Sequence, residues 1–190
     1  MRRSIQVLGI LALLTMMMAL ATTSAAAQLN SNIGTVTINA NLPEALTVNV
    51  ANGTVTIPLT ENTAANQSTA PAAGTTVTTA WVLGPTRTAV KVWIYSTVAN
   101  PLTNGTDTIP ATKISVSTTG QAGAYSPLVT GTGPFGNAGL QVGATTAITA
   151  ANRASNRTDT LFFQIDTTFN AQLSAGLYTG TLNVEAQATP

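Results

Sequence analysis

The chain has 190 residues, only 7% of them charged, and contains neither Cys nor His. That excludes Ser–His and Cys–His nucleophilic sites and His- or Cys-ligated zinc sites. A net charge of +1 leaves no electrostatic footprint for nucleic acid or an anionic membrane, and the length suits one domain with a sizeable core.

Arg2 and Arg3 open the chain, Val7 to Leu20 is apolar apart from Gly9 and Thr15, and Ala25-Ala26-Ala27 fits a small-x-small cleavage pattern. These features predict a secretory signal peptide, residues 1–27, cleaved after Ala27. The apolar run is short for a bilayer span, and without Cys a lipid anchor is excluded. The mature chain, residues 28–190, is therefore expected to be secreted, in the periplasm, outside the cell or on its surface, with no membrane contact after cleavage. It retains Arg87, Lys91, Lys113, Arg153 and Arg157 against six acids. Thr, Ala, Asn, Gly and Val dominate, which suits pleated surfaces and turns. A surface wetted by neutral hydroxyls and amides gains little solubility from charge repulsion.

Gln28 to Ile33 is a polar lead-in. From Gly34 onward Val36, Ile38, Ala40 and Leu42 alternate with polar residues, and Pro43 interrupts them. Leu46, Val48 and Val50 restart the alternation. Asn52-Gly53 between two such runs predicts a hairpin, with Val55, Ile57 and Leu59 on its return strand. Glu61 to Gly74 reads as a surface loop. Thr75 to Leu83 predicts a strand with Val77, Thr79, Trp81 and Leu83 on one face. Gly84-Pro85 turns the chain into a strand over Thr88 to Ser96, with Val90, Val92 and Ile94 inward. Asn104-Gly105 is a turn, and Lys113 to Thr118 a short strand.

Gly120 to Gly139 holds six Gly and two Pro residues and predicts a long loop. Leu140 to Ala150 reads as a weak strand, Asn152 to Arg157 as a turn, and Thr158 to Thr168 as a strong strand with Leu161, Phe163 and Ile165 inward. The last strand, Ala175 to Ala188, has the cleanest pattern. Tyr178, Gly180, Leu182, Val184 and Ala186 share one face, and Thr179, Thr181, Asn183, Glu185 and Gln187 share the other. Eight to ten short strands and no helix predict an all-β, antiparallel sandwich of two sheets, one domain over 28–190.

Leu173-Ser-Ala-Gly-Leu-Tyr-Thr-Gly-Thr-Leu-Asn-Val resembles the closing strand of pilin-like and spore-coat-protein-U-like secreted bacterial proteins. The mature chain as a whole resembles uncharacterised secreted β proteins of environmental bacteria. The resemblance implies an immunoglobulin-like, pilin-like β-sandwich and a non-catalytic structural role at the cell surface. Pilins of the chaperone–usher type usually carry a disulfide near their start, and this chain has no Cys. Pilins of that type lack a strand and receive one from the next subunit's N-terminal arm. Here 28–42, with Val36, Ile38, Ala40 and Leu42, has the form of such a donor, and equally of a first strand of its own domain. The implied partners are further copies or other surface subunits, through strand edges.

The chemistry is sparse. Glu44, Glu61, Asp107, Asp159, Asp166 and Glu185 are scattered singly, whereas a glycosidase needs two facing carboxyls. Asp159 and Asp166 point to opposite faces of one strand, roughly 23 Å apart at about 3.3 Å per residue, and read as solvated surface acids. Gly131 to Gly136 matches Gly-x-Gly-x-x-Gly, but Pro134 sits inside it and no helical pattern follows, so it reads as a loop rather than a dinucleotide site. Asn104, Thr106 and Asp107 lack the carboxylate density of a calcium site. Arg87, Arg153 and Arg157 read as exposed charges at strand ends. Asn52, Asn66, Asn104 and Asn156 each begin Asn-x-Ser/Thr, a chance match in a chain this rich in Thr and Asn. No cofactor or metal and no enzymatic activity is expected. Lys91, Trp93 and Tyr95 should face outward on one strand and Phe162 on another. If those strands are neighbours, they form an aromatic patch able to take a glycan or a protein, unless the Gly-rich loop or the N-terminal arm covers it.

Overall fold

The computed structural model describes residues 32–67, 74–170 and 172–190. The predicted signal peptide lies outside them. The chain separates into two units, residues 1–41 and 42–190. In the first, residues 32–41 form no strand, and Ile33, Val36 and Ile38 are 91%, 86% and 85% exposed. The strand predicted over Gly34 to Ala40 as part of the domain's own sheet is thus not formed. No helix among the described residues is long and apolar enough to cross a membrane.

The second unit is all-β. Its strands are β1 (Ala45–Ala51), β2 (Asn66–Gln67), β3 (Thr75–Val82), β4 (Ala89–Ser96), β5 (Leu102–Thr103), β6 (Thr108–Ile109), β7 (Ile114–Ser117), β8 (Ser126–Pro127), β9 (Val129–Thr130), β10 (Ala138–Ala147), β11 (Ala154–Ile165) and β12 (Asn183–Thr189). One antiparallel sheet runs β1-β3-β11-β7-β8, with β2 beside β11, and the other runs β12-β4-β10-β9; β5 and β6 form a hairpin of their own. A single 3-10 turn, Ala111–Lys113, leads into β7.

The two sheets close on each other through the period-two pattern. Val77, Trp81 and Leu83 from β3 and its end are buried, and so are Val90, Val92 and Ile94 of β4. Val77, Val92 and Ile94 form the main cluster with Ile114 and Val116 of β7, Leu161 of β11, Ala138 and Val142 of β10, and Ala111 and Leu128, while Trp81, Leu83 and Val90 form a second. Alternate residues point away, so each strand is half apolar for a physical reason: only one face meets the other sheet. Trp81 is anchored there, its indole N–H donating to the Asn152 carbonyl at 2.9 Å.

Several expectations change. Asn52 does turn the chain, at a φ of 56°, but no hairpin follows. β1 pairs instead with β3, Ala45 opposite Val82 through Ala51 opposite Thr76. Residues 53–60 form no strand, although Val55, Ile57 and Leu59 are half-buried and Thr54, Thr56 and Pro58 exposed. The predicted loop after Glu61 contains β2, where the Asn66 amide donates to the Ile165 carbonyl at 3.1 Å and to Thr167 Oγ1 at 3.2 Å. β11 starts at Ala154, within the predicted turn, and β12 starts only at Asn183.

Arg157 and Asp159 are neither exposed nor solvated. They lie opposite Thr79 and Val77, so they point between the sheets. Arg157 Nε donates to Asp159 Oδ2 at 2.8 Å, with the two side chains 16% and 14% exposed. Its other nitrogens reach the Ala144 carbonyl at 2.6 Å and the Val142 carbonyl at 3.0 Å. Those carbonyls belong to an irregularity in β10 between Val142 and Thr146. One guanidinium therefore ties β11 of the first sheet to the bulged strand of the second.

Removing Arg157 would leave a half-buried carboxylate and two carbonyls unpaired, a loss of about 3 kcal/mol. Arg157→Ala should lower the urea midpoint accordingly, while Arg157→Lys should recover only part, since an ammonium lacks the fork. Conversely, Thr79 is fully buried and its hydroxyl makes no hydrogen bond to any described residue. Thr79→Val should raise stability by about 1 kcal/mol in the same assay.

Candidate functional site

The first sheet ends on β1 and the second on β12, and among the described residues each of these strands is hydrogen-bonded on one side only. They close the same side of the sandwich. Burial there falls off along the strands. Leu46 and Val48 are half-buried, and Val50 is 38% exposed. Leu182, Val184, Ala186 and Ala188 are the inward face of the last strand, yet all are only half-buried. The matching inward residues of β3 and β4, one strand further in, are buried.

Where β1 ends and β12 begins, an apolar groove of about 460 Å³ lies between residues 53–59 and 176–184. Val50, Val55, Ile57 and Leu59 line one wall, and Tyr178, Gly180, Leu182 and Val184 the other. Ile94, Ile114, Phe163 and Ile165 form the floor, which is the main core seen from outside. The first wall is extended chain with no strand partner, and the second leads into the free edge of β12. A groove with an unpaired strand edge on one side and an unpaired extended segment on the other can accept one more strand. A chain seated there would meet backbone donors and acceptors at both margins and apolar side chains below.

The second wall is held in place by the β5–β6 hairpin. Thr103 and Thr179 exchange amide–carbonyl hydrogen bonds at 2.9 and 3.0 Å. Asp107 accepts from the Ser174 amide at 2.7 Å and, very closely, from its hydroxyl. The Tyr178 hydroxyl donates to the Ser174 carbonyl at 2.9 Å. Gly180 passes so close to Pro101 that a Cβ would collide with its carbonyl, so glycine is required at this crossing. Asn104 serves as a turn residue, accepting from the Thr106 and Asp107 amides at 2.9 and 2.7 Å.

Among the predicted site residues, Lys91, Trp93 and Tyr95 do lie on the outer face of β4, each half-buried. Phe162 does not join them: β11 belongs to the other sheet, so its outer face looks the opposite way. The single patch is therefore two separate places, and the Gly-rich loop lies on both. A Cβ on Gly133 would come within 2.7 Å of the Trp93 ring, and one on Gly120 within 3.0 Å of the Phe162 ring. Phe135 stacks on Tyr95 with centroids 5.5 Å apart, and the Tyr95 hydroxyl donates to Glu185 at 2.9 Å. Flat glycine backbone on aromatic rings is what the loop's composition provides; Gly131, Gly133 and Gly136 all take positive φ.

The groove was missed from sequence because its first wall reads as an ordinary return strand. Of the predicted donor residues, Leu42 is 79% exposed, like Val36 and Ile38 before it, and Ala40 is exposed too. No protein-family model matches the chain, and no curated protein is found to be similar to it.

The carboxyls of this unit are engaged individually. Hydrogen bonds from Arg87 and then from the Gly84 amide hold Glu44 below its ordinary pKa. The Ser174 hydroxyl and amide do the same for Asp107. Burial pushes Asp166 up, but the Thr168 hydroxyl and the Lys113 ammonium outweigh it and leave it lowered. A depressed folded pKa adds stability that is fully present above the unfolded value, about 3.9 for Asp and 4.3 for Glu, and lost as pH falls through the folded one. The urea midpoint should stay flat from about pH 7 to pH 5 and drop below about pH 4; a midpoint that climbs with acid would contradict these pairings.

Proposed function

We propose that this is a secreted, non-catalytic structural or surface-assembly subunit of immunoglobulin-like, pilin-like type, associating by β-strand addition. One observation carries the reading: past the Val50 end of β1 and the Val184 end of β12, an apolar groove lies between residues 53–59, which form no strand, and residues 176–184. The chain also contains a segment suited to that opening. Residues 34–42 alternate polar and apolar, form no strand, and keep Val36, Ile38 and Leu42 exposed. The N-terminal sequence signature supports export to the periplasm or the cell surface.

Magnitudes say what such an association needs. Burying Val36, Ile38 and Leu42 contributes about 1.5–3 kcal/mol each, and Ala40 less. Association costs roughly 4–15 kcal/mol. Side chains alone therefore give weak binding at best, and the backbone ladder along the edge of β12 has to supply the rest. A glycan-binding role for the β4 outer face has less support, because Gly133 already lies on the Trp93 ring and Phe162 is on the other sheet.

The test is size. The mature chain from Gln28 should form species larger than a monomer, increasingly so with concentration. The same chain carrying Val36→Asp and Ile38→Asp should remain monomeric with an unchanged core, since both positions are exposed. Two monomeric proteins with the same melting midpoint would discard strand addition.

A further inference from the structure

Two turns of this protein carry the same tripeptide, Asn52-Gly53-Thr54 after β1 and Asn104-Gly105-Thr106 between β5 and β6. An Asn before a Gly has a reaction of its own. The Asn carboxamide carbon lies within reach of the next residue's amide nitrogen. A following Gly has no Cβ to shield that nitrogen or to restrict the backbone around it. Such an attack gains from the proximity of its two groups. The structure treats the two copies differently.

At Asn104 both reacting groups are held. Its Oδ1 accepts from the Thr106 and Asp107 amides at 2.9 and 2.7 Å, and its Nδ2 donates to the Ser174 carbonyl at 3.2 Å. The Gly105 amide, which would be the nucleophile, donates to Thr103 Oγ1 at 3.0 Å. A Cβ on Gly176 would stand 3.3 Å from Asn104 Nδ2, so the carboxamide has little room to rotate.

At Asn52 neither group is held. Asn52 and Gly53 are both exposed, and neither the Asn52 carboxamide nor the Gly53 amide makes a hydrogen bond to any described residue. A Cβ on Gly53 would meet nothing within 4 Å. The Asn52 carbonyl does have a donor, the Thr75 hydroxyl at 3.0 Å, which it shares with the Ala51 carbonyl at 2.6 Å. A donor on that oxygen favours the negative charge the peptide group acquires when Gly53 N loses its proton.

We propose that Asn52 is a site of self-modification, deamidating spontaneously in the folded protein while Asn104 is spared. Hydroxide takes the proton from the Gly53 amide, the nitrogen bonds to Asn52 Cγ, and the carboxamide nitrogen leaves as ammonia. Water then opens the cyclic imide at either carbonyl, leaving aspartate or isoaspartate. The product carries a new negative charge and, in its isoaspartyl form, an extra methylene in the main chain. Both fall between Val50 and Gly53, which line the groove, so the modification alters its rim irreversibly. The inference does not rest on the assembly reading, and its readout is mass rather than size.

The mature chain from Gln28 is incubated at mildly alkaline pH, in native buffer and in urea, then digested and mapped by mass spectrometry. In native buffer Asn52 should convert ~tenfold or more faster than Asn104, whose hydrogen bonds must break before it reacts. In urea the two should convert at similar rates, since both precede Gly-Thr. Gly53→Ala, at an open position without positive φ, should keep the fold and suppress conversion at Asn52. Asn104 converting as fast as Asn52 in native buffer would overturn the proposal. So would an Asn52 that converts only in urea or not at all, or one that converts unchanged beside Ala.

Discussion

The structure depends on one contact, the inward faces of β3 and β4 meeting across the sandwich. Val77 and Trp81 on one side and Val90, Val92 and Ile94 on the other are all buried. The four longest remaining strands are placed by which of these two they pair with. β1 and β11 flank β3, and β12 and β10 flank β4. With few charges and no disulfide, the molecule has little besides this apolar contact and the ladders to offset chain entropy. The same dependence explains where it is incomplete. The inward residues of β3 and β4, each flanked by strands on both sides, are buried, and those of the β1 and β12 edges are at most half-buried.

The core was largely legible in the sequence because its signal is local. Alternation over Thr75 to Leu83 and Thr88 to Ser96 gave the right residues the right face, and the parity of Leu161, Phe163 and Ile165 held. That parity extends back to Arg157 and Asp159, which the charge alone misassigned to the surface. An ion pair can face inward when its partners include the carbonyls of a bulge, and a bulge leaves little trace in sequence beyond Gly143.

Pairing was less legible, because which strand sits beside which is a non-local choice. Asn52-Gly53 has the chemistry of a tight hairpin, yet β1 pairs with β3 and the chain after Asn52 does not return along its free edge. Residues 53–60 therefore remain extended without a ladder, and one wall of the groove arises from them. The aromatic patch failed for the same reason: Trp93 and Phe162 both face outward, but on different sheets. The stretch Gly120 to Gly139, expected as one loop, carries β8, β9 and the start of β10, and its glycines let backbone lie flat on the rings of Trp93, Tyr95 and Phe162.

The account stands or falls on whether the groove between residues 53–59 and 176–184 is filled by an added strand. Amide hydrogen exchange, followed residue by residue on the mature chain in concentrated and dilute solution, measures this most directly. The account predicts that the amides of residues 53–57 and 59, and of 177–182 apart from Thr179, exchange slowly when concentrated and quickly when dilute, while those of β3 and β4 do not change. Equal and rapid exchange along both walls of the groove at every concentration would contradict it.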